Sequence, residues 1–345
     1  MTDQWFLKPA KLIDQADLDS ARSHQLQLTK PPGSLGQLED IAILFCGWQK
    51  SVTPSCKQIQ IAVFAADHGV CAQGVSAFPQ QVTTQMVHNF TNGGAAISVL
   101  AKQLNAEFQV INLGLISPID ETEGLINTPL MMGTQDFTQH SAMSPEILLD
   151  ALNAGRAQIN DKADLFIGGD MGIGNTSSAS AIYSVLLEQS PELTVGPGTG
   201  VDKDGLARKR KAIYQALNLH GEQLQTPLNI LQRIGGLEIA GLVGAYIASA
   251  QAGVPILVDG FITTAAALLA CRINPSVRAW MMFSHKSAEP AHTLALDSLE
   301  ARPLLDLQMR LGEGSGAAVA ASLIISALAL HNNMATFASA GVSES

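Results

Sequence analysis

The sequence predicts an α/β fold, a parallel sheet covered by helices, and three observations lead to it. Five short apolar runs rich in β-branched and aromatic residues each end in glycine or small polar residues, as strands buried on both faces do. Stretches of helical character lie between them, and alternation of strand and helix implies parallel pairing. The chain has 345 residues and is 47% hydrophobic, so it can bury a large core.

Taken in order, the first fifty residues read as amphipathic helix interrupted at TKPPGSLG, where two prolines and two glycines break it. The strand runs are IQIAVFAADHG from Ile59, FQVINLG from Phe108, ADLFIGGD from Ala163, VPILVDG from Val254 and RAWMMFSH from Arg278. Helices are expected over Gln81 to Leu104, Pro145 to Ala157, Thr176 to Leu187 and Leu237 to Ala252. The last thirty-five residues form an alanine-rich helix and a Ser/Gly tail. The two ends are expected to pack together as a small helical domain, residues 1–50 plus 311–345, beside a large α/β domain at 51–310.

Thirty acidic residues against twenty basic ones leave a formal net charge of −10, which repels nucleic-acid phosphates and anionic lipid and argues against both as partners. The basic group Arg208 to Lys211 is a local exception, either a solvated helix face or part of an anion site. Cys46, Cys56, Cys71 and Cys271 show no paired spacing and read as reduced thiols in the cytoplasm. The N-terminus has the acids and polar residues that an export signal lacks. Ile239 to Val258 is interrupted by Gln251, Gly253 and Pro255, and the apolar run Gly316 to Leu330 is too short to span a bilayer, so both are read as core.

In parallel sheets ligands bind beyond the carboxyl ends of the strands, and the residues there are rich in chemistry. In IGGDMGIGNTSSASAI, a strand carrying Asp170 and Met171 runs through Gly172 and Gly174 into a helix that opens with Asn175 and Thr176. Glycines let backbone N–H groups approach a ligand, and a helix N-terminus favours an anion. The pattern lacks the Lys-Ser/Thr of a Walker loop and the third glycine of the dinucleotide fingerprint, so it is a generic phosphate cradle or an ordinary capped turn. VGPGTGVDKDGLARKRK adds Gly196, Gly198 and Gly200 ahead of Lys209, whose ammonium can neutralise the same phosphate.

RLGEGSGAA holds a single carboxylate, Glu313, between glycines just before an apolar helix. It is either a capping acid or a partly desolvated general base beside a flat ligand. After the first strand, Phe78 offers a stacking surface with Ser76 and Gln85 as hydrogen-bonding neighbours. Asp259, at the end of PILVDGFITT, can hold a ribose hydroxyl. No metal is assigned: His68 and Cys71 lack a second ligand pair, and His285 and His292 sit on no recognisable metal helix.

These segments together, TKPPGSLGQLE, ADHGV with GVSAFPQQVTTQM, NFTNGGAAI, GDMGIGNTSSASAI, VDGFITTAAA, SHKSAEPAH and RLGEGSGAA, resemble the nicotinate-nucleotide–dimethylbenzimidazole phosphoribosyltransferases from about Thr29 to the C-terminal helix. The resemblance implies a dimeric enzyme with a Rossmann-like sheet and a helical bundle built from both termini. It implies transfer of phosphoribose from nicotinate mononucleotide to 5,6-dimethylbenzimidazole, forming α-ribazole phosphate for the cobalamin lower ligand without a cofactor. Carried over by motif, Glu313 is the base that takes the benzimidazole proton. Lys209, Gly172, Gly174, Asn175 and Thr176 resemble the phosphate-binding set, while Ser76, Phe78, Gln85, Met171 and Leu311 would line the base pocket. Asp170 stands where the family is expected to carry glutamate, which puts its supporting role in doubt. A transferase for another flat base and a non-catalytic nucleotide-binding regulator are the alternatives; Glu313 favours an enzyme, because binding alone gives no use for a carboxylate beside an apolar pocket.

Overall fold

The computed structural model describes residues 4–198 and 200–343. Within them, strands β1 (Ile59–Ala66), β2 (Glu107–Gly114), β3 (Leu125–Asn127), β4 (Leu165–Met171), β5 (Ile256–Val258) and β6 (Met281–Phe283) form one sheet in the order β3-β2-β1-β4-β5-β6. Every pairing is parallel. Chain direction across the sheet reverses at the boundary between β1 and β4, and the crevice outside their carboxyl ends is where such sheets bind ligands. All eight residues of β1 are buried, which is why the run carries no polar alternation. β3 was not foreseen: it is short and at most half-buried at the sheet edge, so it carries no apolar signature.

The expected helix from Gln81 to Leu104 is two helices, Gln81–Thr91 and Ala96–Gln103, separated at Asn92-Gly93-Gly94. Pro145–Ala157 begins where expected, with Pro145 in the first turn and the Ser144 hydroxyl accepting the Ile147 N–H at 3.3 Å. Its Gly155 packs against the helix Leu237–Ala252 so closely that a Cβ there would lie 1.8 Å from the Gly241 carbonyl oxygen. Backbone cannot give way as a flexible side chain can. Gly155→Ala is therefore expected to lower unfolding free energy by roughly 1–3 kcal/mol, read as a lower urea midpoint at unchanged slope.

Helices from the two ends of the chain, Gln15–Gln27, Gln37–Gln49 and Ser315–Asn333, pack on one another. His331 joins them: its Nδ1 lies 2.9 Å from Gln25 Nε2 and its Nε2 3.4 Å from Cys46 Sγ. Ser315–Asn333 also lies against β4 and β5, so Gln37–Gln49, Ser315–Asn333 and the sheet share one apolar core from Trp5 to Leu328. This helix corrects the expectation that its apolar run is too short to span a membrane. Over 19 residues it is long and apolar enough by length and composition, and more than half of that window is buried inside the fold.

Candidate active site

A cavity of about 400 Å³ opens at the carboxyl ends of β4, β5 and β6. Asp170 and Met171 reach it from the end of β4, Gly260 and Phe261 from beyond β5, His285 and Glu289 from beyond β6, and Arg310 to Glu313 from the approach to the last long helix. Val82 and Met86, one turn apart on Gln81–Thr91, complete an apolar wall. Phe78 and Leu311 line the same cavity yet stay exposed, at 48% and 60%, which places them at its mouth.

Glu313 is buried. Gly312, Glu313 and Gly314 have φ of +86°, +66° and +86°, so the chain coils left-handedly through residues where only the glutamate bears a Cβ strain. The turn lies tightly on β4: a Cβ at Gly169 would stand 2.3 Å from the Glu313 carbonyl oxygen. Burial pushes the Glu313 carboxyl up to about 7, opposed by the Ile97 N–H at the start of Ala96–Gln103 and reinforced by the charge of Asp259. Its Oε2 has no hydrogen-bond partner among the described residues. A carboxylate with these properties is suited to accept a proton near neutral pH.

Asp170 is buried too, and its Oδ2 accepts a hydrogen bond from Asn175 Nδ2 at 3.0 Å. Burial, then the negative charges of Asp259, Glu238 and Glu313, push its carboxyl well above the ordinary range, so the protonated form is favoured beside an ionised Glu313.

The glycine turn after β4 adjoins the main cavity. Ser76, Gly172, Gly174, Asn175, Thr176 and Lys209 surround a small recess of about 20 Å³, and the turn residues Gly172, Asn175 and Thr176 line the main cavity as well. Asp202 caps the helix Lys203–His220 by accepting the Gly205 N–H at 2.8 Å. Lys209 lies on the inner face of that helix and is 1% exposed. Its Nζ donates to Thr176 Oγ1 at 2.8 Å and to the Gly196 carbonyl at 3.4 Å, and burial lowers its ammonium to about 8. Of the alternatives open for the basic group, the solvated face does not hold for Lys209.

Some expected ligand contacts fall elsewhere. Gln85 is exposed, and its helix turns Val82 and Met86 to the cavity instead. Gly198 lines the cavity but Gly200 does not; it is exposed and follows Thr199, which lies outside the described residues. Asp259 is fully buried with its oxygens turned to backbone: Oδ2 accepts from Gly314 N at 3.1 Å and Oδ1 from Ala317 N at 2.8 Å. Asp259 does not line the cavity, and its carboxylate is turned to the backbone of the segment that carries Glu313.

Sequence reasoning missed the groups after β6. Glu289 Oε1 accepts the Gly198 N–H at 3.0 Å, and Arg310 Nη1 donates to the Gly198 carbonyl at 3.0 Å, so the glycine loop is fixed from both faces. His292 Nδ1 accepts the Ser287 N–H at 2.8 Å and its Nε2 lies 2.9 Å from Thr264 Oγ1; burial, then His285, depresses its pKa to about 3, leaving it a neutral strut. The signal is present in the sequence: RAWMMFSH reads as a strand, and the rule that chemistry follows strand ends points to His285 and the residues after it. No group of three or more His, Cys, Asp or Glu side chains suited to a metal occurs among the described residues.

A recess lined by a glycine turn and a buried lysine thus adjoins a largely apolar cavity that bears a buried carboxyl raised to about 7. A family model described as phosphoribosyltransferase matches residues 10–342. The chain belongs to this phosphoribosyltransferase family. Among its relatives, the nicotinate-nucleotide–dimethylbenzimidazole phosphoribosyltransferase of Pseudomonas syringae pv. syringae is 53% identical, the match covering 100% of this chain and 99% of that one. The enzyme of the same name from Xanthomonas oryzae pv. oryzae is 50% identical with both chains fully covered. The crystal structure of the nicotinate-nucleotide–dimethylbenzimidazole phosphoribosyltransferase from Thermus thermophilus superposes with a TM-score of 0.90 at 42% identity, over 96% of this chain and 100% of that one. The α/β architecture of this phosphoribosyltransferase is thus shared over 96% of the chain.

Proposed function

We propose that this phosphoribosyltransferase moves the phosphoribosyl group of nicotinate mononucleotide to 5,6-dimethylbenzimidazole, yielding α-ribazole 5'-phosphate and nicotinate for the lower ligand of cobalamin. The observation that carries the mechanism is the Glu313 carboxyl, raised to about 7 in the wall of an apolar cavity that adjoins the Lys209 recess. The nucleotide phosphate sits against Lys209, Thr176 and the Gly172–Gly174 turn, where the helix start supplies N–H groups and positive potential. The acceptor base lies flat between Phe78, Met171 and Leu311.

Ionised Glu313 takes the proton from one benzimidazole nitrogen, and the other nitrogen attacks the anomeric carbon from the face opposite nicotinate. The new C–N bond forms as the bond to the pyridine nitrogen breaks; that pair of electrons neutralises the pyridinium and the centre inverts from β to α. Departure therefore requires no acid. Asp170, which lines the same cavity and whose carboxyl burial pushes up, supports the reaction as a hydrogen-bond donor in its protonated form. The reading extends to a homodimer acting in the cytoplasm, with residues 1–50 and 311–345 as its small helical domain and 51–310 carrying the substrates.

The direct test is to incubate the purified protein with nicotinate mononucleotide and dimethylbenzimidazole and to follow nicotinate and α-ribazole phosphate by chromatography and mass. Stoichiometric appearance of both is expected. Nucleotide binding without product would defeat this acceptor and turn attention to other flat bases, among which apolar walls discriminate weakly.

A further inference from the structure

Glu313 precedes the helix Ser315–Asn333, whose cap residue, Gly314, has no side chain to satisfy the first N–H groups. A remote residue does so. Asp259, delivered by the end of β5, accepts the N–H of Gly314 at 3.1 Å on Oδ2 and that of Ala317 at 2.8 Å on Oδ1. Its carboxylate thus closes the first helical turn as a local cap would, and gains from the positive end of the helix. These bonds hold the residue next to Glu313 while Glu313 keeps a φ of +66°, a conformation an L-residue keeps only when its surroundings impose it. On its other side, beyond β6, His285 Nδ1 stands 3.8 Å from Asp259 Oδ1 and 3.0 Å from Ser284 Oγ. Burial pushes this carboxyl up, opposed by His285 and by the N–H groups of Ala317, Gly314 and Gly316, which favour the ionised form.

We propose that Asp259 is a positioning residue for phosphoribosyl transfer: as a cap supplied from the sheet, it locks the left-handed turn that aims Glu313 into the cavity, and its charge acts on that base. The proposal rests on the reading of Glu313 as the proton acceptor. It replaces the ribose contact expected for Asp259 from the sequence. The charged or titratable groups that bear on the two carboxylates are Asp170 from β4, His285 from beyond β6 and Tyr246 from Leu237–Ala252, while Ala96–Gln103 presents the Ile97 N–H to Glu313.

The test compares Asp259→Asn and Asp259→Glu with the parent enzyme. Asn keeps the volume but places an amide against an N–H donor and removes the charge; Glu keeps the charge and displaces it. Both are expected to bind nicotinate mononucleotide within about threefold of the parent while kcat falls by ~10²-fold, the cost of a base displaced by about an ångström. In Asp259→Asn the acid limb of the pH profile should also move to lower pH, because a like charge beside Glu313 is gone; a residue that merely supports the fold would not shift it. Weaker nucleotide binding with kcat intact would instead make Asp259 a nucleotide ligand and overturn the proposal, as would an unmoved acid limb with unchanged kcat. In the parent enzyme, the amide protons of Gly314 and Ala317 should exchange slowly with solvent; fast exchange overturns the capping role without recourse to any variant. Failure of the parent to form product would count against the proposed reaction, and is seen before any variant is made.

Discussion

Glu313→Gln should lower turnover by ~10³-fold while leaving the affinity for nicotinate mononucleotide unchanged. General-base assistance contributes about 10²–10⁴-fold, and the amide keeps the size and neutral hydrogen bonding of the side chain while losing its basicity. The proton acceptor is the ionised form, so with a pKa of about 7 in the free enzyme, kcat/KM should rise with pH through the neutral range and level off above it. An ordinary exposed glutamate would have its acid limb far lower, near 4. Burial is the first cause of the shift, and a wet, solvated Glu313 would abolish it. Rapid-quench measurement of nicotinate release across pH, with binding followed calorimetrically, separates the two quantities. A variant that retains parental kcat would remove Glu313 from the chemistry, whatever its position in the cavity.

The second large effect belongs to Lys209. Its replacement by alanine should weaken nicotinate mononucleotide binding by ~10²-fold, since a charge-assisted hydrogen bond to phosphate contributes about 1.5–3 kcal/mol. The loss also removes one of two positive charges, with Arg310 the other, that oppose the upward push of burial on the Glu289 carboxyl. Burial keeps Lys209 at about 8 in the free protein, and bound phosphate favours its charged form. Parental affinity should therefore decline as pH rises through 8, where the free lysine loses its proton, and the alanine variant should lack that decline. Equal calorimetric affinity in the two proteins would take Lys209 out of the phosphate site.

The groups most legible in the sequence are those on which a single local constraint acts. Asp170 and the turn after it could be placed because a buried strand must end in small residues where a helix starts within a few positions, and that junction is itself an anion site. Glu313 stands out because glycine on both sides of one carboxylate leaves room for a flat ligand, although a helix-capping acid has the same local pattern. Gln85 was misplaced for a reason equally local: with one face of Gln81–Thr91 turned inward, a shift of one residue moves a side chain by about 100° around the axis, and Val82 and Met86 take the inward positions.

What the sequence by itself determined was the set of layers and their order of appearance: continuous apolar runs force strands buried on both faces, the segments between them are long enough only for parallel crossovers, and glycine with small polar residues marks the strand ends that bind ligand. What only the tertiary structure decided was which of those ends meet. Asp259 lies 54 residues before Glu313 along the chain yet accepts the N–H groups just beyond it, and Glu289 reaches Gly198 across 91 residues. Contacts between strand ends depend on the strand order β1-β4-β5-β6 and on a terminal helix folding back against the sheet. No local pattern encodes either, because a buried carboxylate looks the same in sequence whether its partner is a ribose hydroxyl or the backbone of a distant turn.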